Sequence, residues 1–298
     1  MQPHGQLELV RARPWAAVAR IPTEAGAVWF KEPAPSLAFE PALTVAVSRR
    51  CPDFAPEVLS TKRTWLLTRG AGPQLRTVLA SGDPAPSWDE LLPLYAELQI
   101  ELVADVEDLV ALGTPDKRPA AVIGAYPILV ERVAGLGTVD LERRRALTPK
   151  VESLLEALGD AVPATVIHEE FHEANVFVLG GRPRLLDWGE GAVSHPFAGV
   201  VNTFRDIAFR RKLEPGAPEL LRLRSVYLEP WTRFASPREL VELFDRAYVL
   251  GALCRIVTWD RVLAGQSAAV RAEYGRNGAV WLDVILREAV EQGVRLGA

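Results

Sequence analysis

The alternation of apolar and polar positions changes character partway along the chain. Over the first 80 residues, apolar positions recur with a period of two or in short β-branched runs, the mark of strands. Gln6–Arg13 and Trp15–Ile21 read as two strands punctuated by Pro14 and Pro22, and Glu24-Ala25-Gly26 turns the chain into a third, Ala27–Lys31. After Pro33 and Pro35, Ser36 is placed to cap a helix carrying Leu37, Leu43 and Val47 and ending before Pro52. Val58-Leu59 and Trp65–Thr68 predict two more short strands. The tract Arg69-Gly70-Ala71-Gly72-Pro73 then breaks regular structure and marks a domain boundary.

Beyond it the period is helical. Ser87-Trp88-Asp89-Glu90 is a capping box for an amphipathic helix reaching Gly113. A second helical stretch covers Val139 to Leu158, with Pro149 as a break. Ser236-Pro237-Arg238-Glu239 opens another that reaches Gly265, and Ala268–Gln292 reads as a last helix weakened by Gly275 and Gly278. Between these lies a non-helical island: Thr165–Ile167, then a strand Asn175–Leu179, a Gly180-Gly181 hairpin turn and the return strand Arg184–Leu186. The pattern predicts an α+β chain of two lobes. A small β-rich lobe occupies residues 1–72, and a larger, mainly helical lobe with one catalytic hairpin occupies 73–298.

Composition narrows the function classes. With 298 residues, 49% hydrophobic and 24% charged, the chain is long and apolar enough for a sizeable core and is not disordered. The longest apolar run, Ala120–Val130, contains Pro127 and is too short to span a bilayer, and Met1–Gly5 carries no signal-peptide pattern. Two cysteines, Cys51 and Cys254, then read as buried thiols of a cytoplasmic protein. The net charge of −4 argues against a nucleic-acid binder. Its distribution is uneven, +4 over residues 1–76 and −8 over the rest, which suits an anionic ligand near the first and a cationic or polyhydroxyl one near the second.

The island carries the chemistry. His168-Glu169-Glu170-Phe171-His172 satisfies H-E-x-x-H, a zinc-hydrolase signature that requires a helix so that residues four apart share a face. The flanking β-like segments leave room for about two helical turns. The same residues also parse as a kinase-type catalytic loop. There an acidic residue, Glu170, faces the acceptor hydroxyl, and an Asn five positions on, Asn175, holds magnesium. A hairpin then brings Asp187, in Asp187-Trp188-Gly189, back beside Asn175, where kinases place the metal-binding Asp of Asp-Phe-Gly.

At these two motifs the chain resembles the aminoglycoside phosphotransferase family, the small-molecule branch of the protein-kinase-like fold. That family's loop typically reads His-Gly-Asp-Leu-His-Pro-Gly-Asn, with Ile-Asp-Trp-Gly or similar after the hairpin. His168–Asn175 and Leu186–Gly189 align with both without gaps, and Ser194-His195-Pro196-Phe197 resembles a subgroup. The resemblance implies an ATP-dependent (or GTP-dependent), magnesium-requiring phosphotransferase. Its acceptor would be a hydroxyl of a small molecule such as an amino sugar, aminocyclitol or aminoglycoside. Asn175 and Asp187 would hold Mg²⁺. Lys31, ending an apolar strand, would grip the α/β-phosphates, with Glu40 of the next helix as its partner. Trp65–Arg69, including Leu67 and Arg69, would be the hinge whose backbone meets the base. No G-x-G-x-x-G precedes them; Arg13-Pro14-Trp15 occupies that turn.

Glu170 stands where the family has Asp, which leaves a nucleotide-binding pseudokinase with impaired transfer as an alternative beside the zinc hydrolase. His172 and Glu173 are candidate acceptor contacts within the loop. Trp231, Tyr248 and Trp259 could stack on a sugar, and Asp206, Glu229, Asp245 and Asp260 could bind an amine, though each type is more often core or surface.

Overall fold

The computed structural model describes residues 5–133 and 138–287. Its first part is an antiparallel sheet of β1 (Glu8–Arg13), β2 (Ala16–Thr23), β3 (Gly26–Pro33), β4 (Val58–Lys62) and β5 (Trp65–Arg69), in the order β1-β2-β3-β5-β4. Between β3 and β4 lies the helix Glu40–Arg50, whose Leu43 and Val47 are completely buried. It begins three residues later than the pattern predicts. Ser36 sits instead in a 3-10 turn, Pro35–Leu37, and caps nothing. Pro41 explains the later start: in the first helical turn its missing N–H leaves no intrahelical bond unmade.

The remainder is mostly helical. The Ser87–Glu90 capping box is formed, and opens a helix Trp88–Glu101. That helix stops short of Gly113: the Leu102 N–H is shared between the Leu98 and Gln99 carbonyls, and the chain tightens into a 3-10 turn before a second helix, Val106–Ala111. The Val139–Leu158 stretch is likewise two helices, Thr138–Arg145 and Thr148–Glu156, with Pro149 in the first turn of the second. The longest helix, Pro237–Leu263, is capped by Ser236 Oγ accepting from the Glu239 N–H at 3.3 Å. It runs through the core, burying Leu240, Leu243, Phe244, Leu250 and Leu253. The last helix is split at Gly275 into Ala268–Tyr274 and Arg276–Val284, and its predicted end at Gln292 lies outside the described residues.

The island forms four short strands, β6 (Thr165–Ile167), β7 (Val176–Leu179), β8 (Arg182–Leu185) and β9 (Ala192–Ser194). β6 pairs with β9, and β7 with β8 across the Gly180-Gly181 turn, both glycines at positive φ (58° and 77°) as a tight hairpin demands. The β7–β8 hairpin packs beneath the segment that follows β5. The Val178 N–H donates to the Pro73 carbonyl at 2.9 Å. A Cβ on Gly72 would lie 2.0 Å from the Val178 carbonyl oxygen, so only glycine fits there. Cys51 is half-buried and Cys254 buried, both as free thiols. Among the described residues, no helix is long and apolar enough to cross a membrane.

Candidate active site

Three charged residues from distant segments converge at the sheet. Lys31 Nζ on β3 donates to Glu40 Oε1 at 2.5 Å and to Asp187 Oδ1 at 2.5 Å. Burial would lower the Lys31 pKa, but Asp187 and Glu40 outweigh it and hold the ammonium well above its usual value. Burial also pushes the Glu40 carboxyl up, only partly countered by Lys31. Glu40 lies against Gly189, where a Cβ would come within 3.0 Å of its Oε2; the glycine of Asp187-Trp188-Gly189 thus admits the carboxylate. Asp187 is half exposed and holds φ at 70°, a left-handed conformation that a non-glycine residue keeps only when its surroundings enforce it. Burial would raise its carboxyl, yet Lys31 keeps it below the ordinary carboxylate range.

The β7–β8 hairpin joins its ends as the sequence predicts: the Leu186 N–H donates to the Asn175 carbonyl at 2.9 Å. Asn175 Nδ2 donates to the Glu170 carbonyl at 3.0 Å. Asn175 Oδ1 and Asp187 Oδ2 take no hydrogen bond among the described residues. Two hard oxygen donors, one anionic, suit Mg²⁺.

The loop His168–Asn175 is not helical. His168 and His172 therefore do not share a helical face, and the H-E-x-x-H reading falls. His168 is buried, with burial lowering its pKa to about 4, so the imidazole is neutral. Its Nε2 donates to the Leu186 carbonyl at 2.9 Å and its Nδ1 accepts the Glu170 N–H at 3.3 Å, tying the loop to the hairpin. Both Glu170 oxygens are engaged, Oε1 by two donors and Oε2 by one. Its Oε1 accepts from Arg255 Nη2 at 2.5 Å and Asn202 Nδ2 at 3.1 Å, and its Oε2 from His172 Nε2 at 2.7 Å. Burial would raise the carboxyl, but Arg255 and His172 hold it low.

Behind Glu170 lies a cluster that the sequence pattern does not reveal. Glu169, at the loop position where the resembled family has glycine, adopts φ 62° and is buried. It forms an ion pair with Lys117, whose side chain is fully buried, and accepts from Thr258 Oγ1 at 2.7 Å. Lys117 Nζ also donates to Thr258 Oγ1 and to the Cys254 carbonyl at 3.0 Å. Arg255 joins both groups, lying 3.6 Å from Glu169 and paired with Glu190 as well as Glu170. Burial pushes the Glu190 carboxyl up to about 7, only partly offset by Arg255. One signal for this cluster exists in hindsight. Arg255 is a lone charge inside the apolar run Val249–Thr258, a placement that demands a buried partner.

The remaining candidates divide. Leu67 and Arg69 lie on β5; Leu67 pairs with Phe30, and Arg69 is bound to Glu57 Oε2 at 2.8 Å, outside the Lys31 group. Glu173, half-buried beside His172, faces Arg210 at 3.6 Å. Trp231 is fully buried against Phe197 and Phe234, and Tyr248 is buried as well, so neither presents a face to a sugar. Trp259 packs on Trp15 and Tyr274. Asp206 pairs with Arg210, Asp245 with Arg224 and Asp260 with Arg132. Exposed Glu229 opens a 3-10 turn.

The sequence matches a family model, and the fold has counterparts among solved structures. Residues 16–235 match the model of the phosphotransferase enzyme family. The fold is similar to an ethanolamine kinase of Plasmodium vivax, at 13% identity, TM-score 0.63 and coverage of 94% of this chain and 83% of that one. It is similar to a choline kinase of Cryptosporidium parvum at 12% identity and TM-score 0.59, covering 97% and 91%. It is also similar to an aminoglycoside phosphotransferase solved with GDP and kanamycin, at 13% identity and TM-score 0.60, covering 98% and 95%. Among curated proteins, no relative matches the sequence. With its kinase-like fold and a family match across most of its length, the chain belongs to the phosphotransferase enzyme family.

Proposed function

We propose that the protein transfers the terminal phosphoryl group of ATP, or of GTP, to a hydroxyl of a small amino-bearing molecule such as an amino sugar or aminocyclitol. The observation that carries this reading is the convergence of Lys31 on both Glu40 and Asp187. Each comes from a separate segment, and together they match the cation, its positioning carboxylate and the metal-binding carboxylate of a kinase. In this reading the boundary between a nucleotide lobe and a catalytic lobe falls at Gly72-Pro73. Lys31 grips the α/β-phosphates and Glu40 keeps its ammonium in the cleft. Leu67 and Arg69 contribute hinge backbone toward the base. Asn175 and Asp187 hold Mg²⁺, which supplies charge neutralisation on the transferring group. Glu170 orients the acceptor hydroxyl and takes its proton. His172 fixes Glu170, and Glu173 with Asp206 gives the acceptor side the negative charge that an ammonium needs.

A thermal-shift series tests this. ATP or GTP with magnesium should raise the melting temperature of the wild type, and Asp187→Asn should abolish the magnesium-dependent part while leaving the unliganded transition in place. If the variant is stabilised as strongly as the wild type, Asp187 is not the metal ligand. Transfer is then read with a panel of hydroxyl-bearing amines.

A further inference from the structure

The turn between β1 and β2 lies where kinase-like folds lay a glycine-rich loop over the phosphates, and here it is Arg13-Pro14-Trp15. Pro14 has no N–H and Trp15 is bulky, so this backbone cannot wrap a phosphate in amide donors. The register of the sheet supplies a different group. In β1, Leu9 pairs with Ala19 and Arg11 with Val18, which leaves Val10 as the extra residue of a bulge. Val18 pairs in turn with Lys31. Directly paired residues project from the same face. Arg11, Val18 and Lys31 therefore form one row across three strands, on the face from which Lys31 reaches Glu40 and Asp187. Without the bulge Val10 would stand in that row and Arg11 would point to the opposite face.

Arg11 is exposed and has no ion-pair partner among the described residues. Two strand spacings, roughly 10 Å, separate its backbone from that of Lys31. The end of β1 is also tethered across to the helical part. Trp15 packs edge-on against Trp259 and Tyr274, with ring centroids 5.9 and 5.0 Å apart. Gln266 Nε2 donates to the Pro14 carbonyl at 3.2 Å and Arg13 Nη1 to Tyr274 Oη at 3.4 Å.

We infer that Arg11 is a second phosphate-binding cation for the nucleoside triphosphate, set on the cleft face by the β1 bulge and held there by the Trp15 clasp. A guanidinium on a fixed strand thus does the work of the missing glycine loop. The inference rests on the nucleotide reading above, and the test separates the two. ATP and adenosine are titrated, with magnesium, into wild type and into Arg11→Ala, Arg11→Lys, Trp15→Ala and Lys31→Ala. Arg11→Ala should weaken ATP about tenfold and leave adenosine within about twofold, with Arg11→Lys recovering most of the loss. Trp15→Ala should weaken ATP in the same selective way but less. Unchanged ATP affinity in Arg11→Ala, or an equal loss for adenosine, overturns the assignment of Arg11. If Lys31→Ala loses ATP while Arg11→Ala does not, Arg11 alone falls. A wild type that binds ATP no better than adenosine overturns the nucleotide reading and Arg11 with it.

Discussion

Two charged clusters meet at the loop His168–Asn175, and they are built in opposite ways. On the sheet side, Lys31 bridges Glu40 and a half-exposed Asp187, and among the described residues one Asp187 oxygen takes no hydrogen bond and Arg11, in the row of Lys31, has no ion-pair partner. On the helical side, Glu169 and Lys117 are sealed from water, and every oxygen of Glu170 already has a donor. The first cluster has unmet charge for a ligand to satisfy; Glu169 and Lys117 have met their own, and Glu170 at the edge keeps an oxygen with a single donor. A closed network of this kind fixes a loop, whereas an open one binds. The Glu169 side chain explains how a residue other than glycine keeps φ 62° beside Glu170: its carboxylate is anchored to Lys117 and to Thr258 on the long helix.

The sharpest way to break this contrast is to open the closed cluster. Lys117→Met leaves the buried Glu169 carboxylate with only the more distant Arg255 guanidinium at 3.6 Å, and should cost about 3–5 kcal/mol of unfolding free energy. Lys117→Met combined with Glu169→Leu should recover much of that, because removing both partners removes the buried carboxylate along with its cation. Urea unfolding of the single and double variants measures both. A loss below about 1 kcal/mol for the single variant would mean that the cluster does not anchor the loop.

The next effect falls at the junction of the clusters. Glu170→Gln keeps size but cannot take a proton, so turnover should drop about a hundredfold while ATP affinity stays. Glu170→Asp restores the residue usual in the resembled family but withdraws the carboxylate from Arg255 and His172, and should also lose activity. A gain of turnover in Glu170→Asp would mark the wild type as a decayed kinase. Equal turnover in wild type and Glu170→Gln would remove Glu170 from the chemistry.

The difference between the clusters is also why one was legible in the sequence and the other was not. Lys31, Glu40, Asn175 and Asp187 each sit in a local pattern: a strand ending in a charge, the following helix, two ends of a Gly-Gly hairpin. Local patterns fix their neighbours, so convergence could be argued from topology. The capping box at Ser87 and the N-cap at Ser236 were legible for the same reason. Lys117, Asn202, Arg255 and Thr258 come from three separated segments with no shared motif, and their meeting depends on how helices pack. The start of the first helix was misplaced because Ser36 and Pro41 both mark N-termini, and only the packed structure decides between them. The zinc reading failed because its motif is defined by spacing, while the spacing is functional only on a helix.

Acid should act on the buried helical side. His195, after β9, is fully enclosed, and burial alone lowers its pKa to about 3, with no charged neighbour contributing. The unfolded chain takes up this proton near pH 6.5 and the folded one does not. The stability it contributes is therefore complete above pH 6.5 and is lost as pH falls toward 3, about 2 kcal/mol by pH 5. His195→Asn keeps an acceptor for the Phe197 N–H, which His195 Nδ1 now meets at 3.3 Å, but does not titrate. The stability gap between wild type and this variant should shrink by that amount between pH 7 and pH 5. A gap independent of pH would place His195 in contact with water.

The smallest effect on stability should come with a clear effect on binding, at Lys31. Removing a cation between two carboxylates would ordinarily be costly, as at Lys117. Here burial has already raised the Glu40 carboxyl, so Glu40 can take up a proton when Lys31 is gone, and Asp187 can turn to solvent. Lys31→Ala should therefore unfold within about 1 kcal/mol of wild type, while ATP affinity falls about tenfold and adenosine, lacking phosphates, is unaffected. The same kind of change, loss of one buried-cluster lysine, would then register as stability at residue 117 and as binding at residue 31. Urea unfolding and paired ATP and adenosine titrations read both axes. If Lys31→Ala loses stability as Lys117→Met does, the sheet-side cluster is structural too and the contrast collapses. If ATP and adenosine weaken equally, Lys31 lies outside the phosphate site.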